Sequence, residues 1–271
     1  MADAIRVTGL KKRYGNHTVL NGIDFTVRQG EIFALLGGNG AGKTTALECI
    51  EGLRSCDGGE IMVNGKIGIQ LQSASLQAYI RPLEAVNLFS GWNKTKPDAA
   101  MLKSLGIYEL SKKKYAELST GQKRRLHLAL ALIGNPDIVV LDEPTAGLDV
   151  EARRALHEQI RALKAQDRTI LLASHDMAEV ETLCDRIAIL REGKIVFLGT
   201  IGELTAAVGR HYTVHITTPC GRQSFETDHL TQTLFEKISE YHDKKIEIKW
   251  TSAARQCSLP ATLFRSFSFS L

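Results

Sequence analysis

The stretch that most constrains this chain is Gly37-Gly38-Asn39-Gly40-Ala41-Gly42-Lys43-Thr44-Thr45. The apolar run Ile32-Phe33-Ala34-Leu35-Leu36 precedes it and reads as a short buried strand, and residues 44–53 read as a helix. A glycine-rich turn between strand and helix, closing on Lys43-Thr44, has the spacing of a phosphate-binding loop. Glycines take positive φ and let the backbone approach an anion closely. The loop N–H groups and the helix N-terminus then face the phosphates with partial positive charge. Lys43 adds a full charge near the β and γ phosphates, and the Thr44 hydroxyl can ligate Mg²⁺. A glycine-rich turn with a stray lysine would not need this strand–loop–helix setting.

Around that stretch the pattern alternates. Residues 5–10 and 20–27 read as strands, residues 29–31 and 56–60 as turns, and residues 61–65 and 67–72 as further short strands. From 73 to 133 the periodicity becomes helical, with helices over 82–89, 98–105 and 121–133. Ile138-Val139-Val140-Leu141 is a continuous apolar run, as for a strand covered on both faces. A helix over 151–165, a buried strand over 169–173, a helix over 177–184 and strands over 186–190 and 194–198 follow. Strands alternating with helices predict an α/β protein with a mainly parallel sheet. Beyond residue 205 the character changes. Alternating stretches at 212–216 and 245–250 flank a helical face formed by Leu230, Leu234, Ile238 and Tyr241, a small α+β appendage over 206–271. Residues 267–271 fit an edge strand or a tail.

Asp142-Glu143 closes the run Ile138 to Leu141, where ligand sites of parallel sheets lie. Asp142 is placed to hold the metal, and Glu143 to polarise a water for in-line attack on a γ-phosphate.

Composition excludes several classes. The net charge is +4, and the Lys and Arg residues are dispersed, with short clusters such as Lys112-Lys113-Lys114 and Lys123-Arg124-Arg125, so no nucleic-acid footprint is expected. The five cysteines are irregularly spaced without a C-x-x-C pair, as for reduced thiols in a cytosolic protein. The N-terminus lacks the basic and apolar regions of a signal peptide. No apolar run approaches the ~18–20 residues of a membrane span, so any spanning part belongs to another chain.

Leu118-Ser119-Thr120-Gly121-Gln122 resembles the signature loop of ABC-type ATPases, with Thr120 in place of a glycine. Leu141-Asp142-Glu143-Pro144-Thr145, Gly147-Leu148-Asp149 and Ser174-His175-Asp176 extend the resemblance over residues 5–200. It is most similar to the ATPase subunits of drug-resistance and ion exporters. The resemblance implies a P-loop core, an N-terminal antiparallel β-subdomain and a helical subdomain inserted at about 73–133, all within an ATP-binding domain spanning 1–205. It implies ATP and Mg²⁺ as ligands, and head-to-tail pairing with a second ATPase subunit, a homodimer being the expected form. The ATP would then lie between one chain's phosphate loop and the other chain's Ser119–Gln122. Tyr14 would stack on adenine, Gln72 or its neighbour Gln70 would sense Mg²⁺ and the γ-phosphate, His175 would contact that phosphate, and Asp149 would lie in the loop crossing the dimer face. A separate transmembrane permease would hold the chain at the cytoplasmic face of the membrane.

Two departures from the family pattern stand in the loops: Gly38 where many members have proline, and Thr120 itself. Residues 258–264 also depart from the ending common in the exporter subfamily. The competing class is a soluble ABC-type ATPase acting on nucleic acid or protein complexes. Such proteins usually carry paired ATPase domains or a long coiled-coil insertion. The roughly 75 residues between Lys43 and Leu118 hold only a compact helical subdomain. A GTPase-type switch is excluded because no N-K-x-D guanine-reading motif occurs.

Overall fold

A computed structural model describes residues 2–70, 75–208, 212–218, 221–227, 246–252 and 265–269. It divides into two compact units, Met1–Gly199 and Thr200–Leu271.

The first unit is built on a six-stranded sheet. Its order is β5 (Ile67–Gln70), β6 (Ile138–Asp142), β7 (Thr169–Ser174), β3 (Ile32–Leu36), β8 (Arg186–Arg191), β9 (Lys194–Gly199). The first five strands run parallel, and β9 returns antiparallel through the tight turn at Glu192-Gly193. The three central strands β6, β7 and β3 are buried along their whole length, as uninterrupted apolar runs require in a sheet covered on both faces. Strand order places the C-terminal end of β7 between those of β6 and β3. The turns after Asp142, Ser174 and Leu36 therefore converge at one rim, the usual position of a ligand site in such sheets.

A second, antiparallel sheet of order β2 (His17–Arg28), β1 (Asp3–Tyr14), β4 (Gly58–Val63) is the expected N-terminal subdomain. Both long strands outrun the sequence expectation. β1 continues through Lys11-Lys12-Arg13 because Lys12 is buried against Asp57, its ammonium 3.0 Å from Oδ1. Phe25 of β2 stacks on Phe33 of β3 at 5.5 Å between centroids, joining this sheet to the central one. The helix after the phosphate loop, α1 (Lys43–Ile50), is shorter than the 44–53 expected and packs Ala46, Leu47, Cys49 and Ile50 inward.

Between β5 and β6 the chain inserts α2 (Pro82–Trp92), α3 (Ala99–Ser104) and α4 (Thr120–Ala131), with single 3₁₀ turns at Tyr108–Leu110 and Tyr115–Glu117. Asp98 caps α3, accepting from the Ala100 and Met101 N–H groups, as the early aspartate predicted. Then α5 (Val150–Lys164) and α6 (Met177–Leu183) complete the unit.

The second unit holds α7 (Ile201–Val208) and a four-stranded antiparallel sheet, β11 (Gly221–Thr227), β10 (Tyr212–Thr218), β12 (Ile246–Ser252), β13 (Arg265–Phe269). Residues 267–269 thus lie in an edge strand, the first of the two alternatives, while 270 and 271 lie outside the described residues; β11 is an addition to the sequence expectation. The helix expected around Leu230–Tyr241 lies outside the described residues, as do residues 258–264.

Candidate functional site

The phosphate loop is shaped by glycine at two places. Gly42 has φ 106°, and a Cβ there would stand 2.8 Å from Leu20 Cδ2 and 3.0 Å from the Val19 carbonyl. Gly37 is pressed on the next strand, where a Cβ would come within 2.5 Å of the Leu190 carbonyl oxygen. Gly38, which stands where proline is common, has open space around it. Gly38, Asn39 and Gly40 are exposed, and Ala41 N–H closes the turn on the Gly38 carbonyl at 3.2 Å. The loop is anchored to β7, with Gly37 N–H donating to the Ser174 carbonyl at 3.2 Å.

Lys43 is buried, and its ammonium donates to the Gly37 and Gly38 carbonyls at 2.9 and 3.2 Å. It also lies 3.6 Å from Glu143 Oε1. That same carboxylate oxygen is 3.1 Å from His175 Nδ1. One oxygen of Glu143 therefore stands between a cation on the loop and the imidazole at the end of β7. Glu143 has φ 46°, a left-handed backbone that a non-glycine residue adopts at a cost of about 1–3 kcal/mol and that concentrates at functional sites. Its N–H is held by the Ala173 carbonyl at 3.0 Å.

Thr44 donates its hydroxyl to Asp142 Oδ2 at 2.9 Å. Asp142 Oδ1 is buried with no hydrogen-bond partner among the described residues. Burial pushes the Asp142 carboxyl above its ordinary range; the Thr44 hydrogen bond and Lys43 pull the other way, and Glu143 adds to the rise. An orphaned buried carboxylate oxygen beside a hydroxyl is a hard-oxygen donor set of the kind Mg²⁺ takes. Among the described residues no cluster of three or more His, Cys, Asp or Glu could hold a metal alone.

These groups face a cleft of about 550 Å³ lined by Asn39, Gly40, Gly42, Lys43, Thr44, Thr45, Glu143 and His175, with His17 and Val19 from the start of β2. Sequence reading did not find His17 and Val19. Their only signal is that β2 must fold over Gly42, which is visible in space and not in spacing. Tyr14 ends β1, paired in the hairpin with His17. Its half-exposed ring is flanked by the Arg54 guanidinium at 5.3 Å and the Lys12 ammonium at 5.8 Å.

Gln72 lies outside the described residues. Its alternative, Gln70, ends β5 fully buried, and neither amide atom has a hydrogen-bond partner among the described residues. Burial, then Asp142 and Glu48, push the Glu51 carboxyl up to about 7.

Leu118 is buried, and Ser119 caps α4 in a reciprocal box: its Oγ accepts from Gln122 N–H at 3.3 Å, and Gln122 Oε1 accepts from Ser119 N–H at 3.2 Å. A Cβ on Gly121 would come within 3.1 Å of Ala152 Cβ, so α4 starts hard against α5. Thr120 is exposed, 3.7 Å from where a Gly147 Cβ would stand. Asp149 caps α5 by accepting from Ala152 N–H at 2.8 Å. Ser119 and Thr120 at the start of α4, and Gly147 and Asp149 at the start of α5, are exposed.

Residues 20–146 match the family model described as ABC transporter, and residues 112–181 match one described as an AAA domain. The chain is 39% identical over 208 residues to the Nod factor export ATP-binding protein I of Burkholderia orbicola, covering 70% of this chain and 68% of that protein. It is 35% identical over 234 residues to the linearmycin resistance ATP-binding protein of Bacillus subtilis, covering 79% of this chain and 74% of that protein. Among solved structures, an ATP-binding subunit of an ABC transporter superposes with TM-score 0.68 at 27% identity, covering 75% of this chain and 92% of that one. A cassette in its ADP conformation superposes equally well, with TM-score 0.68 at 24% identity over 77% of this chain and 95% of that one, and supports the fold.

Proposed function

The chain belongs to the ABC transporter ATP-binding family and is an ABC-type ATPase, and from that premise we propose that it is the motor subunit of a membrane exporter. The observation that carries the catalytic part is the Glu143 carboxylate oxygen, held between Lys43 and His175 at the rim of the phosphate loop.

In this reading the triphosphate lies along the loop from Gly37 to Thr45, met by backbone N–H groups and by the Lys43 ammonium. Thr44 and Asp142 would hold Mg²⁺, which would supply positive charge against the phosphates. Glu143 accepts the proton of the attacking water, and His175 fixes the carboxylate and faces the γ-phosphate. Tyr14 stacks on the adenine. Gln72 senses the occupied site, with the buried amide of Gln70 as the alternative. Ser119, Thr120 and Gly121 of a second copy close the site from above, and Asp149 lies at the same face. Residues 1–205 carry this chemistry, and 206–271 form an accessory region.

The exporter assignment rests on the relatives' names, Nod factor export and linearmycin resistance. No helix among the described residues is long and apolar enough to cross a membrane, so the transport path would belong to a separate permease at whose cytoplasmic face this chain sits. The helical insert offers a docking surface: Tyr79 is 77% and Trp92 68% exposed, and Leu88 is exposed beside them in sequence. Purification from membranes in mild detergent tests the proposal. The chain should come down with a polypeptide carrying several apolar spans. Recovery only with nucleic acid or soluble assemblies would favour the alternative class instead.

A further inference from the structure

We infer that Glu179 is the positioning residue that holds His175 on Glu143. The inference rests on the reading that Glu143 and His175 are the hydrolytic pair.

Glu179 lies in the first turn of α6 and is only 2% exposed. A carboxylate so deeply buried is costly, and an apolar side chain would serve stability as well or better. What it touches accounts for it. Its Oε2 accepts the Ser174 hydroxyl at 2.5 Å, and Ser174 Oγ accepts in turn from Asp176 N–H at 3.0 Å. His175 is the residue between the two, so the turn that carries it is pinned on both sides through one carboxylate. The Ser174 carbonyl also receives Gly37 N–H, so the same residue ties the turn to the phosphate loop. From α5, His157 Nε2 approaches Glu179 Oε1 at 3.7 Å, and Arg153 pairs with Asp176 Oδ2 at 3.0 Å.

A pin is needed there because the turn has room to move. A cavity of about 150 Å³ lies under it, lined by Glu143, Arg153, Ser174, His175, Asp176 and Glu179 among others. The His175 side chain is about half exposed, and its one hydrogen-bond contact among the described residues is Nδ1 to Glu143 Oε1. Without the Glu179–Ser174 bond the turn can settle into the cavity and carry the imidazole off the carboxylate.

The experiment compares steady-state ATP hydrolysis by the full chain with Mg²⁺ in wild type, Glu179→Ala, Glu179→Gln, Ser174→Ala and Glu179→Ala/Ser174→Ala, beside a thermal melt of each. Displacing a catalytic group by about 1 Å costs on the order of 100-fold, so Glu179→Ala should lower kcat at least about tenfold. KM for ATP should stay within about twofold, since the phosphate loop is untouched. Glu179→Gln keeps an oxygen for the Ser174 hydroxyl and should regain most of the rate. Ser174→Ala should be at least as slow as Glu179→Ala, since it also frees the Asp176 N–H, and the double variant should be no slower than Ser174→Ala, because both remove the Glu179–Ser174 link. If Glu179→Ala does not fold, Glu179→Gln against Ser174→Ala carries the same comparison. A kcat unchanged in Ser174→Ala, a loss shared equally between kcat and KM, or losses that multiply in the double variant would overturn the inference. Glu143→Gln in the same assay separates the premise: if it still turns over, the reading of the pair has failed, and not the pin alone.

Discussion

Adding a single methyl group at Gly42 should disable the site more than its size suggests. Gly42 sits at φ 106°, where an L side chain is strained by about 1–2 kcal/mol. Its Cβ would also stand 2.8 Å from Leu20 Cδ2, 3.0 Å from the Val19 carbonyl and 3.3 Å from Val19 Cγ1. Leu20 is fully buried and cannot swing aside, so the overlap adds about 1–3 kcal/mol of overpacking. The two terms give Gly42→Ala a cost of roughly 2–5 kcal/mol, taken as stability or as a displaced loop. Gly38→Ala is the control. It meets nothing within 4 Å and has no positive φ, so its cost should stay within about 0.5 kcal/mol. Thermal melts with calorimetric ATP titration measure both. Gly42→Ala should melt at least about 5 °C lower or bind ATP at least about tenfold more weakly, while Gly38→Ala stays at wild type. Equal behaviour of the two variants would refute the argument that β2 shapes the loop through Gly42.

Lys43→Ala should weaken ATP binding by roughly 1.5–3 kcal/mol, the worth of a hydrogen bond to a charged group; unchanged affinity by calorimetry contradicts the Lys43 assignment. Glu51 has a folded pKa of about 7 against 4.5 unfolded, so the folded state holds the extra proton. Its favourable contribution is complete below pH 4.5 and is lost as pH rises to about 7. Glu51→Gln should therefore stabilise the chain at pH 8 by about 3 kcal/mol at most and flatten that fall, which denaturation at pH 5 and pH 8 would check. Ser119→Arg should leave nucleotide binding intact and stop hydrolysis, because in the proposed pair the cation would stand where a partner's γ-phosphate docks. Mixing it with Lys43→Ala should restore part of the activity, and no recovery at any ratio would count against a shared site.

The parts of the fold most legible in the sequence are those whose cause is local. Strands β3, β6 and β7 were readable because uninterrupted apolar runs between Gly, Asp and Thr leave no alternative. The helix start at Asp98 was readable from residue type alone, whereas the cap at Asp149 was not. β11 escaped because Arg222, Gln223 and Ser224 carry no apolar alternation, and only pairing with β10 makes them a strand. The site divides in the same way. Gly37 to Thr45, Asp142, Glu143 and His175 announce themselves by motif, and the sheet order brings them to one rim. His17, Val19, Ser174 and Glu179 contribute through contacts between elements far apart in sequence or at a helix start, and these contacts leave no spacing to read.

In the proposed mechanism Glu143 is the base of an ATP-hydrolysing site completed by a second copy. Glu143→Gln tests it most directly, because the carboxamide keeps the shape beside Lys43 and His175 but cannot accept a proton. With ATP and Mg²⁺, turnover should fall at least about 100-fold while ATP affinity stays within about threefold, and gel filtration should show an ATP-loaded dimer. Turnover within about threefold of wild type, with no ATP-loaded dimer, would contradict the account.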